Sequence, residues 1–408
     1  MEFLTDDCPS IELQAINLFV LMYADDMVLL AETAEGLQKM LDTLVRYTDK
    51  WNLTVNTNKT KVMVFRNGGK LREEDKWYFN GGVLETVDEF NYLGILMNFN
   101  GKYRKTQQKI AEQGKKALFA ITNVCKKNYF NVETQLHVFD TYVCSILNYG
   151  AEVWGFHKAP DIEKIHLNFC KRLLGVKKST ANFMVYQELG RLPLGIIRKF
   201  RIFKYWLKLK NSDNCILQAC YQEMLEGGSE WINSIRDELF RIGLGYIWQN
   251  DVKTDIVMNI IKHRMCDIFQ QDCKESIDSS SKCSLYKYIC DNFCLQQYLM
   301  KPIGSQNLKE ITKIRLSSHK LYIETGRYNN IERSDRICTY CNSGDIEDEF
   351  HFLLKCEFYT DLRNRFIKKY YSKKPSMFKF IQLMKTVNKK ELSNLAKFIK
   401  LSNKRRGL

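Results

Sequence analysis

The sequence predicts an α+β protein: an antiparallel sheet with packed helices over residues 1–100, then a mostly helical remainder ending in a small metal-held module. Three observations carry this. Between residues 16 and 97, short β-rich apolar runs alternate with turn signals. Beyond Asn100-Gly101, apolar residues recur at helical spacing. Near the C-terminus, Cys338-x2-Cys341, His351 and Cys356 place four ligand-type residues within 19 positions.

The first elements are two strands, Ile16 to Met22 and Met27 to Ala31, around Tyr23-Ala24-Asp25-Asp26. Residues 1–15 read as a helix or loop leading into them. Adjacent carboxylates at a hairpin tip repel, and a divalent cation offsets that repulsion. The bland alternative is a solvated acidic turn. Thr33 is a candidate N-cap, followed by Leu37, Met40, Leu41, Leu44 and Val45 at helical spacing. Asn56-x-x-Lys59-Thr60-Lys61 then leads into a strand, Val62 to Phe65, and Asn67 to Asp75 reads as a basic loop. Tyr78-Phe79 and Val83-Leu84 flank Asn80-Gly81-Gly82, a hairpin signal. One strand is expected from Glu89 to Met97.

Helices are then expected over Lys109–Lys127, Glu133–Tyr149, Asp161–Leu174 with Pro160 at its start, and Leu194–Leu209. The third should expose Lys171 and Arg172 at its end, with Lys177 and Lys178 in the following loop. In the fourth, Phe200, Phe203 and Trp206 interleave with Arg198, Lys199, Arg201 and Lys204. That mixture can stack bases and hold phosphates, although the aromatics keep core spacing. Residues 211–330 read as helical with polar breaks, notably Asp278 to Lys282.

The 408 residues can hold two or three cored domains, and 45% apolar content with only five prolines favours a folded, helix-rich protein over a disordered one. No apolar run reaches the roughly 20 residues that span a bilayer, and acids at Glu2, Asp6 and Asp7 do not suit a signal peptide. A nuclear or cytoplasmic location is the expectation. Fourteen cysteines, mostly scattered singly, suit buried reduced thiols. The net charge of +15 is uneven. Residues 1–50 hold three basic and ten acidic side chains, whereas residues 357–408 hold 15 and three. An acidic metal-binding region beside basic surfaces fits a partner rich in phosphate. The bland reading of the tail is a solvated basic face.

Thiol and imidazole at the spacing of Cys338, Cys341, His351 and Cys356 suit tetrahedral zinc. Four protein ligands leave no open position, so the site should be structural. The alternative is three buried thiols and a satisfied core imidazole. Just beyond it, Arg363, Arg365, Lys368 and Lys369 open the most basic stretch, a candidate nucleic-acid contact.

The order Tyr23-Ala24-Asp25-Asp26, helix, Asn56-x-x-Lys59-Thr60-Lys61, and Tyr92-Leu93-Gly94 resembles the second half of the palm of reverse transcriptases from non-LTR (LINE-type) retrotransposons. The specific match spans about residues 16 to 97. The Cys/His segment is similar to the zinc-binding segment after the polymerase region of such elements. The Ala of Tyr-Ala-Asp-Asp and the zinc segment favour a retroelement over an RNA polymerase or telomerase-like relative.

The resemblance implies a partial palm over 1–100, a thumb-like region over 101–210, a helical connector over 211–330, and a zinc module with basic tail over 331–408. It implies two-metal nucleotidyl transfer with Mg²⁺ held by Asp25 and Asp26. Lys59 would lie near the triphosphate, or be a solvated turn lysine. Tyr23 would lie near the primer end, or simply pack in the palm. Tyr92, Leu93 and Gly94 would form the primer-grip turn. RNA template, DNA primer or target, and dNTP would be the partners.

The family also needs an earlier metal-binding aspartate and fingers, and 22 residues precede Tyr23. Asp6 and Asp7 sit in a polar, Pro-followed stretch rather than a strand pattern. The expectation is therefore a C-terminal fragment, inactive alone as an RNA-directed DNA polymerase. The alternative is a non-catalytic, zinc-stabilised nucleic-acid-binding protein.

Overall fold

The computed structural model describes residues 10–14, 16–250 and 254–407. Asp6 and Asp7 lie outside the described residues. The protein is α+β, with short strands first and helices after. The strands are β1 (Ile11–Leu13), β2 (Ile16–Leu18), β3 (Val20–Tyr23), β4 (Asp26–Leu29), β5 (Lys61–Val62), β6 (Trp77–Phe79), β7 (Gly82–Thr86), β8 (Glu89–Tyr92) and β9 (Ile95–Asn98). Helix α1 (Ala34–Lys50) interrupts them after β4.

The α-helices that follow are α2 (Arg104–Lys127), α3 (Val132–Phe139), α4 (Ser145–Leu147), α5 (Ala151–Trp154), α6 (Pro160–Leu174), α7 (Asn182–Leu189) and α8 (Leu194–Lys210). Next come α9 (Cys215–Glu226), α10 (Glu230–Arg241), α11 (Tyr246–Gln249), α12 (Thr254–Ser279) and α13 (Tyr286–Ile289). The last are α14 (Ser305–Arg315), α15 (Tyr322–Tyr328), α16 (Thr360–Phe366), α17 (Lys369–Ser372), α18 (Met377–Met384) and α19 (Lys389–Arg405).

The chain divides into two compact units. One comprises residues 1–109, 150–159 and 198–261; the other comprises 110–149, 160–197 and 262–408.

In the first unit the strands pair locally. β1–β2, β3–β4, β6–β7 and β8–β9 are antiparallel, whereas β5 pairs with β7 in parallel. They form separate small ladders rather than the single antiparallel sheet expected from sequence. The strand expected from Glu89 to Met97 is a hairpin. Leu93 and Gly94 both take positive φ (+46° and +82°) at its two-residue turn, and Tyr92 pairs with Ile95. Asn80-Gly81 makes the same kind of turn (φ +45° and +75°), with Phe79 opposite Gly82.

Thr33 caps α1, its Oγ1 accepting from the Gly36 N–H at 3.0 Å. The buried stripe of α1 (Met40, Leu41, Leu44) shares a core with Val62, Trp77, Phe79 and Leu84, and Met27 and Leu29 of β4 pack against it. Gln38 locks α1 to β6, donating to the Tyr78 carbonyl (2.9 Å) and accepting from its N–H (2.8 Å). Elsewhere in this unit, Phe203 and Trp206 of α8 are buried, Trp206 stacking on Trp248 at 5.7 Å. Their spacing is a core spacing, as the periodicity indicates.

In the second unit, α6 starts at Pro160 and buries Ile162, Ile165, Phe169 and Leu174. The stretch from Glu133 is not one helix. α3 passes into a π-helical turn at Asp140–Cys144 before α4. A buried polar hub holds this unit. Glu188 of α7, fully buried, accepts from Arg315 Nε (2.6 Å) and from the Tyr286 and Tyr298 hydroxyls (2.8 Å each). Arg315 also donates to the Met384 carbonyl at 2.6 Å. The basic tail is a packed helix: Leu392, Leu395, Ala396, Phe398 and Ile399 of α19 are buried.

Candidate metal centres

The β3–β4 hairpin closes with Tyr23 opposite Asp26, so Ala24 and Asp25 are its two turn residues. Ala24 takes φ +53°, a left-handed conformation that L-residues adopt at a cost. Asp25 and Asp26 are exposed at the tip, beside a Tyr23 that is 64% exposed. The inner residues Met27 and Leu29 anchor the strand on the α1 core. A rigid hairpin thus presents two neighbouring carboxylates to solvent. Hard oxygen donors of this kind suit Mg²⁺. Among the described residues, no third His, Cys, Asp or Glu forms a ligand group with them.

Lys59 is exposed in a turn where its N–H and that of Thr60 both donate to the Asn56 carbonyl (3.0 Å each). No hydrogen bond or ion pair joins it to Asp25 or Asp26 among the described residues. Tyr92, Leu93 and Gly94 form the β8–β9 turn, with Leu93 38% exposed. The backbone thus supports a turn at each of these three motifs.

The second centre is assembled by its own fold. Cys338 and Cys341 lie in a loop closed by an isolated bridge between Ile337 and Ile346, with the Cys338 N–H donating to the Asp345 carbonyl at 2.9 Å. His351 and Cys356 bracket a π-helical turn, His351–Lys355, and the Cys356 N–H reaches back to the His351 carbonyl at 2.8 Å. The result brings all four ligand atoms within 4.8 Å of one another. Cys338 Sγ lies 3.9 Å from Cys356 Sγ, and His351 Nε2 lies 3.4 Å from Cys341 Sγ. His351 Nδ1 faces Asp345 Oδ2 at 3.5 Å. A carboxylate behind an imidazole orients it and fixes the ligating nitrogen.

Backbone N–H groups of Tyr340 and Cys341 favour the Cys338 thiolate, but burial outweighs them. Burial pushes the Cys356 thiol up to about 12 and raises that of Cys338. At Cys341 burial works in the same sense, yet hydrogen bonds from Ser343 outweigh it and hold the thiol below its usual value. Burial also lowers the His351 imidazole, favouring the neutral form that binds metal. Three thiols and one imidazole, converged and mostly buried, fit zinc in donor type and number.

Two of the cations expected to face phosphate are structural. Lys171 is buried (8% exposed) and its ammonium donates to the Lys178 carbonyl at 2.7 Å. Arg363 is buried (5%) and donates to the carbonyls of Leu353 (2.9 Å) and Cys356 (2.6 Å), bracing the ligand segment. Both side chains are thus turned inward, against carbonyls that need donors, rather than exposed. Arg172 is exposed and donates to Thr122 Oγ1 at 2.8 Å, and Lys178 is exposed. Lys177 Nζ donates to the His319 carbonyl at 2.9 Å. Lys368 pairs with Glu391, Arg365 lies over the Phe366 ring (5.2 Å), and Lys369 is exposed.

The residues bracing the Cys/His segment escaped the sequence reading. Glu347, buried, pairs with Arg406, which caps the end of α19, and accepts from the Tyr322 N–H at 2.7 Å. Glu349, buried, meets His319 Nε2 at 2.8 Å and Ser317 Oγ at 3.2 Å. The signal available was the acid run Glu347-Asp348-Glu349 beside a ligand.

With this geometry in place, comparison with known proteins locates the hairpin. The family model described as reverse transcriptase (RNA-dependent DNA polymerase) matches residues 3–97. An uncharacterized transposon-derived protein of Caenorhabditis elegans is 32% identical over 169 residues, covering 39% of this chain and 58% of its own length. The RNA-directed DNA polymerases from mobile element jockey of Drosophila funebris and Drosophila melanogaster are each 22% identical, over 164 and 175 residues. Those matches cover 38% and 40% of this chain but only 18% and 19% of the two polymerases. The chain thus carries a region similar to reverse transcriptases of mobile elements, and it spans a minor part of the polymerases it matches.

Proposed function

We propose that residues 1–100 are the metal-binding half of a retrotransposon reverse-transcriptase palm, followed by a thumb-like region (101–210), a connector (211–330) and a structural zinc module (331–408). The observation that supports this reading best is the anchored β3–β4 hairpin, which carries Asp25 and Asp26 at its tip within the matched region. Asp25 and Asp26 would hold Mg²⁺, which when bound lowers the pKa of a primer 3′-hydroxyl and neutralises departing pyrophosphate.

The chain's own residues do the positioning. Tyr23 and the Tyr92-Leu93-Gly94 turn would meet the primer end. Lys59, exposed and without an ion pair among the described residues, can donate a proton toward pyrophosphate. Cys338, Cys341, His351 and Cys356 would hold Zn²⁺ without an open position, so that metal folds rather than catalyses. RNA template, DNA primer or target, and dNTP are the proposed partners.

Asp25 and Asp26 form no ligand group with a third His, Cys, Asp or Glu among the described residues. The isolated 408-residue chain is therefore expected to extend no primer. Primer extension on an RNA template, with Mg²⁺ or Mn²⁺, tests this. Robust incorporation that disappears in Asp25→Ala would overturn the inactivity. The converged Cys₃His cluster favours a second reading, a zinc-stabilised nucleic-acid-binding protein derived from a retroelement.

A further inference from the structure

A cavity of about 360 Å³ in the second unit collects lysines that are remote in sequence. Lys177 comes from the turn after α6, Lys313 from α14, Lys320 from the turn after it, and Lys400 from α19. Glu310 is the one acid lining it, and that carboxylate is already shared by Lys313 (2.8 Å) and Gln306 (3.1 Å). Lys320 and Lys400 are exposed and have no ion pair among the described residues. Four cations against one engaged acid is an unbalanced charge in a concave site. An anion is the ligand that balances it.

We propose that this cavity clamps the phosphate backbone of a nucleic acid, independently of its sequence. This rests on the nucleic-acid reading above. The walls between the lysines are aliphatic, Ile314 and Ile399, and no Phe, Tyr or Trp lines the cavity. The ring in the lining, His319, is buried and held by Glu349 at 2.8 Å, so the lining offers little face on which a base could stack. Ammonium groups on flexible stems act as point charges, the chemistry of phosphate contact rather than base reading.

The zinc segment builds the walls. Glu349, two residues before His351, holds His319 (2.8 Å) and Ser317 (3.2 Å), and so fixes the turn that carries Lys320. The His319 carbonyl in turn receives the Lys177 ammonium (2.9 Å), and Ser318 Oγ accepts from the Lys177 N–H at 2.9 Å. Glu347, on the same segment, holds Arg406, the residue capping α19, and α19 carries Lys400. Both edges of the clamp thus hang on residues beside the zinc ligands. This gives the metal-held module a role in nucleic-acid binding without asking the metal to touch it.

The test is fluorescence anisotropy of the full chain with a labelled 20-base-pair DNA duplex, titrated at several salt concentrations. Lys320→Glu/Lys400→Glu should weaken binding at least about tenfold and flatten the salt dependence by about two phosphate contacts. Lys389→Glu/Lys390→Glu makes the same charge change on the exposed first turn of α19, where acids are well tolerated. It should weaken binding less than about threefold. Equal losses for both pairs would overturn the clamp while leaving nucleic-acid binding intact. No binding by the unsubstituted chain would overturn the nucleic-acid reading and the clamp with it. Displacement of the duplex by micromolar ATP would make the cavity a free-nucleotide site and overturn the backbone assignment.

Discussion

Replacing Glu188 by Ala tests how the second unit is held. Glu188 is fully buried and receives Arg315, Tyr286 and Tyr298 at 2.6–2.8 Å. Removing the carboxylate leaves the Arg315 guanidinium, itself 3% exposed, as an uncompensated buried charge. That alone costs about 3–5 kcal/mol. Two tyrosine hydroxyls also lose their acceptor, at about 1–3 kcal/mol where nothing replaces it. Tyr298 keeps Thr312 Oγ1 at 2.7 Å, so the second penalty falls mainly on Tyr286. The sum is about 4–8 kcal/mol, or a melting temperature lowered by about 10–30 °C for a unit of this size. Thermal unfolding followed by circular dichroism reads it. Glu188→Leu/Arg315→Met, which removes both charges, should recover most of the loss, because the charge and not the volume is what fails. A Glu188→Ala chain that melts within about 2 °C of the parent would refute the hub.

Three further outcomes are expected. Ala24→Gly relieves the positive φ at the hairpin tip and should stabilise the first unit by about 0.5–1 kcal/mol in urea unfolding, net of the entropy glycine adds to the unfolded chain. Cys341→Ser should drop zinc content, measured by atomic emission, well below about one ion per chain. The third concerns Glu238, where burial opposes ionisation but hydrogen bonds from Arg241 (2.6 Å) and Lys199 (2.8 Å) prevail and hold the carboxyl below its usual 4.5. A depressed folded-state value contributes stability above pH 4.5 that is lost as pH falls through the lower value. Melting curves between pH 6 and 3 should therefore decline less steeply for Glu238→Gln than for the parent.

Local chemistry was readable where one residue type dictates the backbone. Asn80-Gly81 announces its turn because both positions need positive φ. Pro160 and Thr33 mark helix starts because one lacks an N–H and the other supplies an acceptor. The Cys/His spacing announces a cluster that folding does converge. The residue pattern alone hid the β8–β9 hairpin, whose turn only the family resemblance implied, because Leu93, an apolar residue with no preference for positive φ, occupies half of it. The burial of Lys171 and Arg363 was hidden for another reason. A basic residue on a helix end reads as solvated unless one knows which carbonyls lie beside it, and those carbonyls are set by tertiary packing. The lysine cavity was wholly illegible, since its four cations lie up to 223 positions apart.

The account stands or falls on whether the hairpin tip binds a divalent cation. The chain can be labelled with ¹³C-methyl methionine, and Met22 and Met27 flank Asp25 and Asp26 among its 13 methionines. Mn²⁺ titrated in should broaden those two resonances first, and Asp25→Asn/Asp26→Asn should abolish the effect. Uniform broadening of all methionines, or loss of Met22 and Met27 signals unchanged in the double variant, would contradict it.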